Sequence, residues 1–323
     1  MPEDHGAIES DWISAMRASD FARAWSINDR DLARRIAENA PKHEGPRHLQ
    51  HIWRGEPLAG ARVLVRCYHG LGDTLQFIRF AKPLRRIARE VILWVQPELL
   101  RLVANAPGVN RALPLHEGAP EVDYDVDIEI MELAFALRAT REIIDDVPYL
   151  AASGGTSRFT REPGDPRIHI GLVWRAGDWD QRRSIDLPLF AALADDRVQL
   201  HLLQPMTKVA PFPANDLACA EIADVAATIS QLDLVITVDT MMAHLAGALG
   251  IPVWTMLCRD CDWRWGEGAT TPWYRTMRLF RQRTLNNWQP VIADIADELG
   301  NVCQRTQERV RTAEVLETNV LTL

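Results

Sequence analysis

Three things are scarce in this chain of 323 residues, and each scarcity excludes a class of function. No long apolar run is uninterrupted: the longest, Met241–Leu257, is broken by His244, Gly250 and Pro252, which argues against a membrane span. Cysteine is sparse, five residues at 67, 219, 258, 261 and 303, with no framework of the secreted disulfide-rich kind. Cys258 and Cys261 make one CxxC, but zinc needs a second pair or histidines at ligand spacing, and neither is there. A redox role for the pair is a minor alternative. Basic charge is not in excess: 36 Lys and Arg face 44 Asp and Glu, and the net charge of −8 argues against general nucleic-acid binding. Met1–Ser10 is polar and acidic rather than a signal peptide, so the cytoplasm is the expected compartment.

What remains is ordinary for a globular protein, 47% hydrophobic and 25% charged, and long enough for two domains of moderate size. Residues 1–50 read as a helical N-terminal extension, with Trp12, Met16, Phe21, Trp25, Leu32 and Ile36 at roughly helical spacing. "NAPKHEGPRH" then breaks the pattern with two prolines and a glycine. In residues 51–150, strands alternate with helices. "ARVLVRCY", "EVILWVQ", Val109–Leu115 and "DYDVDIEI" read as strands, and Thr74–Arg89, "PELLRLVANA" and "MELAFALRA" as helices. Residues 151–167, rich in Gly, Ser, Thr and Pro, read as a linker. The alternation restarts over 168–300 with "IHIGLVW", a helix at Leu187–Asp195, "VQLHLLQ", a helix at Ile222–Leu232, and a closing helix at Asn287–Gly300. Residues 301–323 form a polar tail, helical or loosely ordered. The expected fold is α/β: two doubly wound, mostly parallel sheets with helices on both faces, facing each other across a cleft.

Candidate chemistry gathers at strand-to-helix turns. In "LVITVDTMMAHLAGALGIPVW", an apolar strand at Leu234–Val238 meets an Asp239–Thr240 corner, either residue a good N-cap, and restarts as a helix closed by Gly250. Helix starts at the carboxyl edge of parallel sheets bind anions. In "CYHGLGDTLQF", Gly70 and Gly72 suit a tight turn close to a ligand, but a dinucleotide fingerprint needs a third glycine where Leu75 stands. Asp73 there is either a helix cap or a carboxylate at the cleft mouth. In "WRAGDWDQRRSIDL", Arg175, Arg182 and Arg183 match phosphate oxygens, or pair with Asp178, Asp180 and Asp186. Trp263, Trp265, Trp273 and Tyr274 beside Arg264 make an aromatic wall or an aromatic core. Arg79, Lys82, Arg86 and Arg89 fall on one helical stripe, a solvated face or a contact for an anionic acceptor or lipid headgroups.

Taken together, "HGLGDTLQFIRF", "GLVWRAGD…RRSIDL", "LDLVITVDTMMAHLAGALGIPVW", "DWRWGEG…TPWYRTMRLFRQ" and "NNW" resemble the glycosyltransferase family 9-like enzymes over about Ile52–Gly300. More closely, the chain looks like the glycosyltransferase portion of bacterial tetratricopeptide-repeat proteins related to ADP-heptose:lipopolysaccharide heptosyltransferases. The resemblance implies a GT-B fold and inverting transfer with no metal and no cofactor. It places the acceptor on the first domain and a nucleoside-diphosphate sugar, by habit an ADP-sugar, on the second. It implies Asp73 as general base. Gly72, Gln204, Asp239, Thr240, Met241, Met242 and His244 become donor-binding residues, with Arg183, then Arg175, neutralising the leaving diphosphate. Glu132, Trp263 and Arg264 fall to the acceptor or the aromatic wall. The expected acceptor is a glycan, lipid-linked or protein hydroxyl, the partner set excludes nucleic acid, and peripheral contact at the inner membrane is allowed. The chain departs from its relatives at "WRAGD", where they read Trp-x-Gly-Asn, at "MELA", where they carry Ser-Leu-Pro, and at "CRDC", which replaces a Pro-rich loop. Of a tetratricopeptide array, at most a helical pair in residues 8–40 is visible. A sugar-nucleotide-binding protein of the same fold without transfer activity is the competing expectation.

Overall fold

The structure is a computed structural model that describes residues 5–144, 148–178, 180–206 and 209–320. The first few residues of the extension and the last three of the tail lie outside them. The chain opens with an antiparallel helical pair, α1 (His5–Arg17) and α2 (Phe21–Ala37), turned at Ser19 in the left-handed region and capped by Asp20. A first parallel sheet follows: β1 (Arg62–Arg66), α3 (Leu71–Phe77), α4 (Ala81–Arg85), β2 (Glu90–Val95), α5 (Pro97–Val103), β3 (Arg111–Pro114) and β4 (Val126–Glu129), with short helices α6 (Leu133–Ala136) and α7 (Arg141–Ile144) behind it. The strand order is β3-β2-β1-β4. The second sheet comprises β5 (Ile168–Val173), β6 (Val198–Leu202), β7 (Asn215–Asp216), β8 (Leu234–Val238), β9 (Val253–Leu257) and β10 (Met277–Arg281), ordered β10-β9-β8-β5-β6-β7 and parallel throughout. Helices α8 (Ile222–Ile229) and α9 (Met241–Ala248) are its crossovers, and α10 (Gln289–Val320) closes the chain. Two parallel sheets, each with a reversal in strand order, are thus present as the alternation predicts, though among the described residues helices cover only one face of the first.

Several elements differ from expectation for physical reasons. The single helix expected over Thr74–Arg89 starts three residues earlier and breaks into α3, a 3₁₀ turn and α4. Pro83 has no N–H to donate to the Arg79 carbonyl, so the α-helical ladder cannot run through that point. Leu187–Leu193 is a 3₁₀ helix rather than an α-helix, and β7 and β10 are strands absent from the expectation. The closing helix and the start of the tail are one helix of 32 residues.

The first sheet also lacks its second helical layer among the described residues. Val63, Val65, Val91 and Leu93 point to the face covered by the crossover helices, and the alternate residues Leu64, Ile92 and Trp94 point to the other. That other face is covered by loops. Tyr124 and Leu115 come from the β3–β4 connection, and the Arg47 guanidinium lies 5.3 Å from the Trp94 ring. Leu115–Asp125 carries no helix, and the segment that supplies Arg47 is a single 3₁₀ turn, Arg47–Leu49.

The two sheets are not independent bodies with a wide gap. One apolar core runs from the α1–α2 pair (Met16, Phe21, Trp25) through the first sheet to α9, Trp265 and Trp273 on the second. Helices α3 and α9 cross directly: a Cβ at Gly72 would stand 2.9 Å from His244 Cδ2, so glycine permits this crossing. Gly247, one turn further along α9, lies against the Tyr274 ring, which an added Cβ would meet at 2.4 Å. The α1–α2 pair straps both halves. Arg17 Nη2 donates to Cys261 O at 3.1 Å, and Trp25 Nε1 donates to Ala139 O at 3.0 Å. Residues 151–167 form neither helix nor strand and are stitched to α8, with Thr156 N donating to Asp224 Oδ1 at 2.8 Å. No helix among the described residues is long and apolar enough to cross a membrane.

Candidate functional site

In an open parallel sheet, ligands sit where the strand order reverses, beyond the carboxyl ends of the strands. The first sheet reverses between β1 and β4, and the second between β5 and β8. The segments leaving those strands carry most of the residues singled out in the sequence. Between the sheets lies a cleft of about 970 Å³. Gly72, Asp73, Arg175, Arg183, Gln204, Asp239, Thr240, Met241, Met242, His244 and Arg264 all line it.

Asp73 caps α3: its Oδ2 accepts the Gly70 N–H at 3.0 Å. Its Oδ1 accepts Arg264 Nη2 at 2.5 Å, an ion pair between the two halves of the chain. Arg264 is held on its other edges by Gln76 Oε1 at 2.6 Å and Asp262 Oδ1 at 3.0 Å, and stacks 4.5 Å over Trp263. The carboxylate therefore serves as a helix cap and faces the cleft at once.

At the opposite wall, Thr240 rather than Asp239 is the N-cap of α9: its Oγ1 accepts Met242 N–H at 3.2 Å. Arg183 is buried and donates Nη1 to the Asp239 carbonyl at 2.8 Å, with Asp239 Oδ2 3.8 Å away. Burial raises the Asp239 carboxyl above its ordinary range, against the pull of Arg183. Arg183 thus braces the corner. Arg175 projects its exposed side chain at the cleft edge, and Gln204 fixes the backbone beneath it. Gln204 Oε1 accepts Trp174 N–H at 3.0 Å and Arg175 N–H at 2.9 Å, and its Nε2 donates to Arg175 O at 2.8 Å. With both ends of its amide bonded to the backbone, Gln204 holds the loop in place. The side chain of Met242 is buried, so its contribution to the corner is its backbone.

Two expectations need correction, and two open alternatives are decided. Glu132 does not line the cleft: its carboxylate accepts the Trp53 and Glu129 N–H groups at 3.3 and 3.4 Å and sits 3.7 Å from Arg35, and burial pushes it up to about 7. It is a capping residue under the N-terminal helices. Trp263 is no wall of the cleft: it packs edge-on to Trp12 at 5.0 Å and Trp273 at 6.0 Å. Trp265, Trp273 and Tyr274 are almost fully buried, so this aromatic cluster is core, with Trp265 alone reaching the cleft lining. The basic stripe loses Arg79, which turns inward and donates to Gln76 O, Trp273 O and Tyr149 Oη at 2.8, 2.8 and 3.0 Å, while Lys82, Arg86 and Arg89 are exposed as a solvated face would be. Among the described residues, no three His, Cys, Asp or Glu side chains are placed to hold a metal ion.

This arrangement of two reversed parallel sheets has counterparts among solved structures. The Escherichia coli ADP-heptose lipopolysaccharide heptosyltransferase II superposes with a TM-score of 0.52 over 76% of this chain and 99% of its own, at 15% identity. The chain has the heptosyltransferase fold. TibC, an iron-containing dodecameric heptosyltransferase of enterotoxigenic E. coli solved with ADP-D-β-D-heptose, superposes with a TM-score of 0.50 over 77% of both chains, at 12% identity. In sequence, the Caulobacter vibrioides protein FlbA is 23% identical over 295 residues, covering 76% of this chain and 48% of FlbA. The chain therefore spans about half the length of that relative. No protein-family profile matches it.

The cleft thus sets the Asp73 carboxylate on one wall against the start of α9 and Arg175 on the other. In the sequence, Tyr274 and Arg79 stand only as parts of an aromatic cluster and a basic stripe; their support of His244 is not foreseen there. Both carry recognisable residue types, but nothing in their spacing announces a shared contact.

Proposed function

We propose that this protein is an inverting glycosyltransferase that moves a sugar from a nucleoside-diphosphate sugar to a hydroxyl acceptor. One observation carries the proposal: Asp73 and the Asp239–Thr240 corner line the same cleft, from opposite sheets. Displacing a nucleoside diphosphate builds negative charge on the leaving oxygen. The start of α9, worth roughly half a positive charge, and the Arg175 guanidinium are available to receive it. Arg183 acts at one remove, by holding the Asp239 carbonyl. Asp73 takes the acceptor proton as the bond forms, an assistance typically worth about 10²–10⁴ in rate. No metal ion and no cofactor are assigned a part. The shared fold with enzymes named for, or solved with, ADP-heptose makes an ADP-sugar the first donor to test.

The Arg264–Asp73 ion pair supports a second reading. A base whose carboxylate is already bonded by an arginine and an amide has lost accepting capacity, as in a sugar-nucleotide-binding protein without turnover. One experiment separates the two. A thermal-shift screen of nucleoside diphosphates and their sugars identifies the ligand that raises the melting temperature. Transfer or hydrolysis is then followed with the wild type and Asp73→Asn. Transfer lost in the variant with donor affinity retained is expected; tight binding with no wild-type turnover on any acceptor favours the binding protein.

A further inference from the structure

His244 lies one turn into α9 and is 6% exposed, its ring stacked on Trp265 at 5.2 Å. Its Nδ1 faces the interior, 2.9 Å from Tyr274 Oη. The opposite edge, Cδ2 and Nε2, lies against Gly72 at the cleft wall. Which ring nitrogen carries the proton decides whether His244 offers the cleft a donor or an acceptor.

The surrounding bonds decide it. Tyr149 Oη donates to the Leu75 carbonyl at 2.9 Å and receives Arg79 Nη2 at 3.0 Å, and since a carbonyl only accepts, its one proton is committed. Tyr274 has one proton and two acceptors in reach, His244 Nδ1 at 2.9 Å and Tyr149 Oη at 3.4 Å. Hydroxyl donors bond at about 2.5–3.0 Å, so the proton goes to Nδ1. The Arg79 guanidinium, 4.8 Å from the centre of the Tyr274 ring, polarises the phenol toward donation. Burial, followed by the charges of Arg264, Arg79 and Arg183, holds the His244 imidazole neutral, well below its usual range. A neutral imidazole that accepts at Nδ1 carries its hydrogen on Nε2.

We propose that Tyr274 is a positioning residue that fixes His244 as the Nε2–H tautomer, so that the cleft gains a neutral, directional N–H donor for a phosphate or sugar oxygen of the donor. The proposal rests on the donor-site assignment above. It gives the buried Tyr274 hydroxyl a task in ligand binding, although the phenol touches no part of the cleft. It also explains why a histidine suits a wall that already holds Arg183 and Arg264: the bond is gained without another fixed charge.

The test is a nitrogen–proton correlation spectrum of the histidine rings in the ligand-free 323-residue chain, with His244 assigned by the signals missing from His244→Gln. An unprotonated Nδ1 and a protonated Nε2 are expected in the wild type. Tyr274→Phe should perturb that pattern and weaken binding of the best nucleoside diphosphate in an ADP, GDP, UDP and CDP panel about fivefold, one neutral hydrogen bond's worth. Tyr149→Phe should leave the pattern intact. A wild-type proton on Nδ1 overturns the proposal even if no variant folds, and so does a Tyr274→Phe protein with unaltered pattern and affinity. Failure of the wild type to bind any diphosphate would overturn the donor-site assignment beneath it, and the ligand-free spectrum tells these failures apart.

Discussion

Replacing Gly72 by alanine probes the contact on which the cleft depends. The added methyl would lie 2.9 Å from His244 Cδ2 and 3.4 Å from Met241 Cα. Carbon atoms prefer about 3.5–4.0 Å, so roughly 0.6 Å must be found on the histidine side. The imidazole cannot supply it by turning, because Tyr274 holds Nδ1 and Trp265 covers the ring. The crossing of α3 and α9 has to open instead. Overpacking of this kind costs about 1–3 kcal/mol, which for a chain of 323 residues lowers Tm by about 1.5–4.5 °C. The start of α9 moves with it, so diphosphate affinity should fall as well. Thermal unfolding and diphosphate titration of Gly72→Ala check both effects. Gly70→Ala serves as the control, because its methyl would meet only Asp73 Oδ2, at 3.2 Å. Adding His244→Ala to Gly72→Ala should return part of the lost stability, since the two residues share the clash. A Gly72→Ala protein with Tm and affinity equal to those of Gly70→Ala would refute the direct crossing, and would restore the view that this glycine merely lets a ligand approach.

The two arginines should separate in titration calorimetry. Arg175→Ala should weaken diphosphate binding with little change in stability, because the side chain is exposed. Arg183→Ala should reduce both, by about 1.5–3 kcal/mol in stability for a charged hydrogen bond; equal effects from the two would contradict their different placements. Glu132, pushed to about 7 by burial, keeps its proton in the folded state where the unfolded chain loses it at 4.5. Its contribution is therefore full below pH 4.5 and is lost as pH rises to about 7, a change of up to about 3 kcal/mol. Glu132→Gln should flatten that part of a urea-denaturation profile, and an unchanged slope would count against it. Transfer activity is expected to survive EDTA, whereas strict dependence on a divalent ion would overturn the metal-free mechanism.

Local signals told the truth wherever the chemistry was local. The strand Leu234–Val238 and the helix beginning at Met241 stand where β-branched residues, a capping hydroxyl and Gly250 place them. The same residues left Asp239 and Thr240 as rival caps. Only the geometry, with Thr240 Oγ1 on the Met242 N–H, separates them. At Thr74–Arg89 the apolar rhythm masked the break at Pro83, and the basic rhythm made Arg79 look solvated when its partners are carbonyls from other elements. Glu132 and Trp263 were drawn toward the site by neighbours in sequence, and packing under α1 and α2 took them away from it.

By itself the sequence determined the alternation of strands and helices and the strand-to-helix turns that line the cleft, because capping, periodicity and backbone freedom act over a few residues. Tertiary structure alone decided which groups meet. Asp73 and Arg264 are separated by 191 residues and yet form one ion pair, and Tyr274 reaches His244 across a helix face. Such pairings follow from how two sheets dock through a shared apolar core. Docking is set by shape summed over many side chains, and no short stretch of sequence carries it.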